Sequence, residues 1–222
     1  MGPLIRLFNA FFSRLLNIWV KSDVVGIQDA TDNGLTSDKI IFYALPLRSY
    51  AASLVLNEVS KLHNLPKALE PVEIDGTEFP NRIVFLSKPE GGWFKRRALP
   101  YLHKSVPDIV KVSQENPEND IQIVPVNVFW GREPKKEKSL LKIWLGDAWS
   151  IPGPFRRVVS ILLNGRNTFV HVSKPISIQN MIQENPTIEA SRIIRKLGRV
   201  IRVHFRHTRT AVIGPDLSHR RT

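Results

Sequence analysis

Residues 40–56 read IIFYALPLRSYAASLVL, and this stretch decides the fold class. Residues 40–44 form a short apolar run, the pattern of a buried strand. Pro46 cannot donate to a sheet ladder, so the strand stops there. Residues 49–62 then read as a helix that packs through Ala52, Leu54, Val55, Val59 and Leu62, and Leu65-Pro66 closes it.

The same alternation continues outward. Residues 72–74, 82–86 and 121–129 read as strands, the last the strongest. Residues 99–114 read as a helix, most clearly after Pro107. Residues 155–163 are a basic-fronted apolar helix ended by Asn164-Gly165. A strand at 168–173 stops at Lys174-Pro175. Asn185-Pro186-Thr187 opens a final helix that runs to about Thr208. Residues 22–39 are polar and turn-rich, with a turn signal at Asp32-Asn33-Gly34. Strands alternating with helices predict an α/β domain with a mostly parallel sheet and flanking helices.

The chain has 222 residues, 42% hydrophobic and 23% charged, the composition of a globular protein. It has no cysteine, which excludes disulfides and thiolate chemistry and fits a reducing compartment. The net charge is +12 and uneven. Residues 187–222 hold nine Lys/Arg against two acids, while the other 186 residues hold 23 against 18. Such a balance favours anionic partners, a membrane surface or nucleic acid. No uninterrupted apolar run reaches the ~18 residues of a spanning helix. Arg6 and Arg14 break the N-terminal run and no small-residue cleavage site follows it, unlike a signal peptide.

Residues 3–21 have the pattern of an amphipathic helix. At ~100° per residue, Arg6, Asn9, Ser13, Arg14, Asn17 and Lys21 share one face. Leu4, Leu7, Phe8, Phe11, Phe12, Leu15, Ile18 and Trp19 cover the other. A wide aromatic face with Trp near one end and flanking cations suits the plane of a membrane interface, and these eight residues are the expected membrane contacts.

Several blocks, in order, carry a family resemblance. They are Val20-Lys21-Ser22, Ala44-Leu45-Pro46, and Leu65-Pro66 leading to Leu69-Glu70-Pro71-Val72-Glu73-Ile74-Asp75-Gly76. Val124-Pro125-Val126-Asn127-Val128-Phe129-Trp130-Gly131-Arg132 and Asn167-Thr168-Phe169-Val170-His171-Val172-Ser173 follow. Val203-His204-Phe205-Arg206 and Ala211-Val212-Ile213-Gly214-Pro215 are the last. Through these the chain resembles the N-terminal part of the bacterial membrane-bound glycerol-3-phosphate acyltransferases. The resemblance covers nearly all 222 residues, whereas the family's chains are several times longer and carry the catalytic domain downstream. It implies a full enzyme that moves an acyl group from acyl-CoA or acyl-acyl carrier protein to the first hydroxyl of glycerol 3-phosphate, the first step of phospholipid synthesis. It also implies the cytoplasmic face of the bacterial inner membrane, peripherally bound, and a chain that is truncated relative to the family or one half of a split enzyme.

In that family a histidine acts as general base and an aspartate five residues on orients it, in a Pro/Cys-His-Arg-Ser-x-x-Asp block. Here Pro46-Leu47-Arg48-Ser49-Tyr50-Ala51-Ala52 resembles the block in its surroundings, but Leu47 and Ala52 stand at the two decisive positions. Neither transfers a proton, so no catalytic residue carries over. Two readings stay open: a degenerate copy of the acyltransferase fold, or an unrelated strand–turn–helix unit. His103 and Asp108 do satisfy His-x-x-x-x-Asp, which keeps an active minimal acyltransferase as an alternative. His103 is not at the end of an apolar strand, however, and Pro107 disturbs the local helix. His171 alternates with Val170 and Val172 and reads as a sheet-face histidine. No His/Asp/Glu cluster has metal spacing, and Gly91-Gly92 lacks the phosphate-loop pattern, so no metal or cofactor is expected.

The last helix carries Arg192, Arg195, Lys196, Arg199, Arg202, Arg206 and Arg209 opposite Ile193, Ile194, Leu197, Val200, Ile201 and Phe205. Its candidate partners are an anionic membrane surface, the downstream catalytic domain, or nucleic acid, for which no recognised motif speaks. Trp144, Trp149 and residues 155–163 are a second candidate membrane-contact area or core. The expected organisation is an interfacial helix over 1–21, a linker over 22–39, an α/β domain over 40–186, and a basic amphipathic helix and tail over 187–222.

Overall fold

The computed structural model of the chain describes residues 22–36, 39–90, 97–130, 168–184 and 189–213. The expected amphipathic helix over 3–21 with its eight membrane contacts, Gly91-Gly92, Trp144, Trp149, the helix over 155–163 and the helix opening at Asn185-Pro186-Thr187 lie outside the described residues. In chain order the elements are β1 (Ser22–Val25), α1 (Ile27–Asp32), β2 (Ile40–Leu45) and α2 (Tyr50–Leu62). Then come β3 (Val72–Ile74), β4 (Thr77–Phe79), β5 (Ile83–Phe85), β6 (Ser87–Glu90) and β7 (Arg97–Pro100). The series ends with α3 (Ser105–Glu115), β8 (Ile121–Trp130), β9 (Thr168–Val172), β10 (Ile176–Ser177), α4 (Ile178–Gln183) and α5 (Ala190–Ile213).

The main sheet has the order β1-β9-β8-β2-β5, with β10 also pairing β8. β2 runs parallel to both neighbours, Tyr43 standing opposite Ile83 on β5 and Val124 on β8. β10 runs antiparallel to β8, Ile176 opposite Ile123. The fold is therefore α/β with a mixed, mostly parallel sheet and flanking helices. β3–β4 and β6–β7 are separate antiparallel ribbons.

β2 is buried from Ile41 to Leu45 without alternation, because both faces of the strand are covered. The period of two separates those faces. Phe42 and Ala44 of β2, Val84 of β5, and Ile121 and Ile123 of β8 pack with Phe79, Val106, Ile109, Ile178, Leu197 and Ile201 in one cluster. Helices α3, α4 and α5 seal this face, and the Phe42 and Phe79 rings meet edge to face at 5.2 Å. Tyr43 belongs to the other face, where its hydroxyl donates to the Pro66 carbonyl at 2.7 Å. Burial raises the Tyr43 phenol pKa well above its ordinary value, against a smaller lowering by Arg82, so the hydroxyl keeps its proton. The loop after α2 is pinned from the helix itself: Asn57 Oδ1 accepts from the Leu69 amide at 3.0 Å, and Ser60 Oγ from that of Ala68 at 3.4 Å.

The structure differs from the sequence reading at several points. The turn-rich stretch 22–39 contains β1 and α1, while the turn expected at Asp32-Asn33-Gly34 is present, Asn33 and Gly34 turning the chain directly after α1. Residues 99–100 belong to strand β7, and the helix after them starts only at Ser105. Leu62 does not pack; it is one of the exposed large apolar side chains at the last turn of α2. The final helix starts at Ala190 and continues to Ile213.

The chain forms two compact units, residues 1–23 with 128–170 and residues 24–127 with 171–222. In the described part of the first, the Phe129 and Phe169 rings lie 5.8 Å apart.

Candidate functional site

Two places on the second unit gather the residues that the sequence singles out. The first is the turn 46–49, where β2 ends. Ser49 N-caps α2, its hydroxyl accepting from the Ala52 amide at 3.3 Å. The Arg48 amide donates to the Ser87 carbonyl at 2.9 Å. From the other side, the Tyr101 amide donates to the Leu86 carbonyl at 2.9 Å and the His103 amide to the Phe85 carbonyl at 3.0 Å. Arg48, Ser49 and the loop 101–104 thus meet where parallel strands β2 and β5 end, the edge of an α/β sheet at which ligands commonly bind.

The chemistry at this edge is sparse. Leu47 is 37% exposed and Ala52 only 7%. The strand–turn–helix geometry is present, with the two positions five residues apart, but neither side chain can carry a proton. His103 is half-buried, its ring edge-on to Phe85 at 5.5 Å and to Tyr101 at 6.4 Å. Its Nδ1 accepts from the Ser105 amide at 3.4 Å. Burial lowers its pKa, and the charges of Lys104 and Arg48 lower it further. An orienting carboxylate would have the opposite effect. Asp108 is exposed in the first turn of α3, and among the described residues no hydrogen bond or ion pair joins it to His103. The chain turns from loop into helix between them, so the pattern does not form a dyad.

His171 lies on β9, half-buried, with Ser173 Oγ 3.4 Å from its Nδ1. Burial lowers its pKa, opposed by its own backbone hydrogen bond and by Asp29. Pro89 and Glu90 form part of strand β6, and Gly91 and Gly92 lie outside the described residues. Among the described residues, no group of three His, Asp or Glu could hold a metal ion.

The second place is helix α5. Ile193, Leu197, Ile201 and Phe205, spaced by four, are buried against α3 and α4. Arg192, Arg195, Lys196, Arg199, Arg202, Arg206 and Arg209 are all exposed on the other side. Among the described residues only Lys196 of these seven has an ion-pair partner, Glu184 at 3.3 Å. No helix among the described residues is long and apolar enough to cross a membrane.

Residues 8–214 match the family of the glycerol-3-phosphate acyltransferase PlsB N-terminal domain. The chain belongs to that family. Curated relatives named glycerol-3-phosphate acyltransferase agree. One from Pseudomonas putida strain W619 is 38% identical over 99% of this chain, and one from strain KT2440 is 36% identical over all of it. One from Pseudomonas syringae pv. syringae strain B728a is 37% identical over 100% of this chain. The chain spans about a quarter of the length of these relatives, 26% in each case. No solved structure matches it.

Within this PlsB N-terminal domain, the meeting of Arg48, Lys104 and His103 at one sheet edge escaped the sequence reading. Its cause is the β6–β7 ribbon, which returns the chain from Ser87 to Tyr101 beside the strand ends. The cationic face of α5 was legible, because charge and apolar residues separate at the helical period.

Proposed function

We propose that the chain is the non-catalytic N-terminal part of a glycerol-3-phosphate acyltransferase, anchoring and docking the catalytic domain. The reaction of the whole enzyme would transfer an acyl group from acyl-CoA or acyl-acyl carrier protein to glycerol 3-phosphate, giving 1-acyl-glycerol 3-phosphate. Its place would be the cytoplasmic face of the bacterial inner membrane, peripherally bound. One observation carries the non-catalytic reading: at the β2–α2 turn, Leu47 and Ala52 occupy the five-residue offset at which an acid–base pair would stand. General base catalysis contributes typically 10²–10⁴-fold, and these side chains can supply none of it.

The test is a labelled acyl-CoA assay with glycerol 3-phosphate on the purified chain. The expected outcome is no acylated product above the background without protein. Product formation that His103→Ala abolishes would instead establish a minimal enzyme built on His103 and Asp108.

Anchoring would use the apolar face of Leu4, Leu7, Phe8, Phe11, Phe12, Leu15, Ile18 and Trp19. Docking or surface binding would use the α5 cations. A second reading, that the domain is a degenerate copy of the acyltransferase fold, draws support from parallel β2 and β5 joined through α2. A determined structure of a full-length relative would test it. Failure of residues 40–85 to superpose on the catalytic strand–turn–helix would remove it.

A further inference from the structure

We propose that the exposed face of α5 is a binding surface for anionic lipid headgroups, on which the helix lies flat without inserting. The helix has seven Arg or Lys and no acid in its 24 residues. At 100° per residue the seven cations fall within an arc of about 140°, roughly opposite the buried stripe of Ile193, Leu197, Ile201 and Phe205. The stripe is already occupied by the core, and the exposed Val203 and Val212 stand apart from each other on the helix, so no continuous apolar face is left to insert. Its length of ~36 Å carries the cations as a row along one side.

The neighbouring acids neutralise only Lys196 of this row among the described residues; Glu189, just before the helix, accepts from the Ser191 hydroxyl at 3.2 Å. Glu184 after α4 pairs with Lys196, and Glu115 of α3 pairs with Lys111 at 3.7 Å. Among the described residues the six arginines have no ion-pair partner. A solvated surface helix ordinarily interleaves both signs, so that i,i+4 pairs support it. A row of unpaired arginines instead offers planar forks that match phosphate oxygens two at a time. Protein interfaces concentrate aromatic anchors at their centre, and this face has none. A bilayer supplies many phosphates in one plane, which fits a straight row of forks better than a single pocket does. The proposal extends the anchoring role suggested above but does not depend on the acyltransferase reading.

The test uses the 222-residue chain with vesicles of phosphatidylcholine alone and of phosphatidylcholine mixed with phosphatidylglycerol. Binding common to both vesicle types reports the apolar segment 1–21, and the increment with phosphatidylglycerol reports charge. The triple variant R199Q/R202Q/R206Q should weaken the phosphatidylglycerol-dependent binding about 100-fold, at roughly fivefold per cation near the surface. R199K/R202K/R206K, which keeps the charge but not the fork, should fall between the parent chain and the Gln triple, and circular dichroism with thermal melts should show both variants folded. Raising salt should weaken the increment as the Debye length contracts from ~10 Å at 0.1 M to ~3 Å at 1 M. Equal binding to both vesicle types, or a Gln triple that binds like the parent chain, would overturn the proposal. So would preferential binding to duplex DNA at physiological salt. Binding to a purified downstream domain that the Gln triple loses, with vesicle binding intact, would assign the face to that domain. Neither triple touches the β2–α2 turn, so the acylation assay reads the non-catalytic role separately.

Discussion

At Gly26 the backbone takes φ +88°, between β1 and α1. A Cβ there would stand 2.2 Å from the Val172 carbonyl oxygen, a backbone atom that cannot move aside. Gly34 and Gly76 also have positive φ, but a Cβ on either meets open space. Gly34→Ala and Gly76→Ala should therefore cost only the left-handed penalty of about 1–2 kcal/mol, and Gly26→Ala distinctly more. Urea denaturation of the three variants checks the ranking, and an equal loss in all three would refute the close approach. The sequence showed no sign of this requirement, because the atom that forbids a side chain lies 146 residues away. Titration gives a second residue-scale expectation. Burial lowers the pKa of His103, with Lys104 and Arg48 adding to it. Burial also lowers His171 against the opposing pull of its own hydrogen bond and Asp29, and lowers His204 with help from His207. The unfolded chain therefore binds protons at a pH where the folded one does not, and stability falls as pH drops below ~6.5 toward the folded values. Burial alone would raise Asp120, but hydrogen bonds from Ser177, Lys39 and Gln122 and the Lys39 charge hold it below its usual range. Its contribution is present above the unfolded value of 3.8 and is lost only below it, outside the histidine window. Urea midpoints should be flat from about pH 8 to 7 and decline from about pH 6.5 to 5, less steeply once the three histidines are replaced by Gln. A midpoint that is constant down to about pH 5 would contradict this assignment.

Helix starts provide the test at the scale of elements. Ser49 caps α2 through one amide, whereas Ser177 caps α4 through the Asn180 amide at 3.1 Å and also donates to Asp120 at 2.7 Å. Ser49→Ala should cost about 1 kcal/mol, and Ser177→Ala about 2 because it removes a charge-assisted bond as well. Thermal or urea unfolding measures both, and equal losses would show that the Asp120 bond adds nothing. The same local chemistry explains which elements the sequence disclosed. Pro46 and Ser49 bracket the β2–α2 turn, so both elements were read to within one residue of their ends. α1 escaped notice because six residues with a single buried side chain, Ala30, carry no helical period. β4 and the β6–β7 ribbon read TEF, SKPE and RALP, short and poor in apolar residues, so no strand pattern registers, whereas the equally short β3 and β5 read VEI and IVF and were legible. α5 outran its expected end at Thr208 because nothing stops a helix before Gly214-Pro215.

For the whole molecule, the charge asymmetry was legible from residue counts, but the edge that joins Arg48 to His103 required the topology. Strand order depends on pairings between segments such as 40–44 and 121–125, about eighty residues apart, which no local pattern records. Those long-range pairings also set how the second unit should unfold. Phe42 on β2 and Leu197 on α5 are 155 residues apart in sequence yet belong to one buried cluster. Each is fully enclosed, so truncation leaves a cavity that its neighbours fill only in part. Phe42→Ala should cost about 3–5 kcal/mol and Leu197→Ala about 2–5. Because the cluster joins the sheet to α3, α4 and α5, both losses should appear in one cooperative transition rather than in two. Far-ultraviolet circular dichroism, dominated by the helices, and hydrogen exchange at β2 amides should then shift together in either variant. If Leu197→Ala lowered only the helical signal while the β2 amides kept the protection of the parent chain, the helix layer would be an independent unit. In that case the basic face of α5 could detach on a lipid surface without disturbing the sheet. A shared transition requires the opposite: any partner that holds α5 stabilises the strands beneath it, and anionic vesicles should raise the protection of β2 as well as that of the helix.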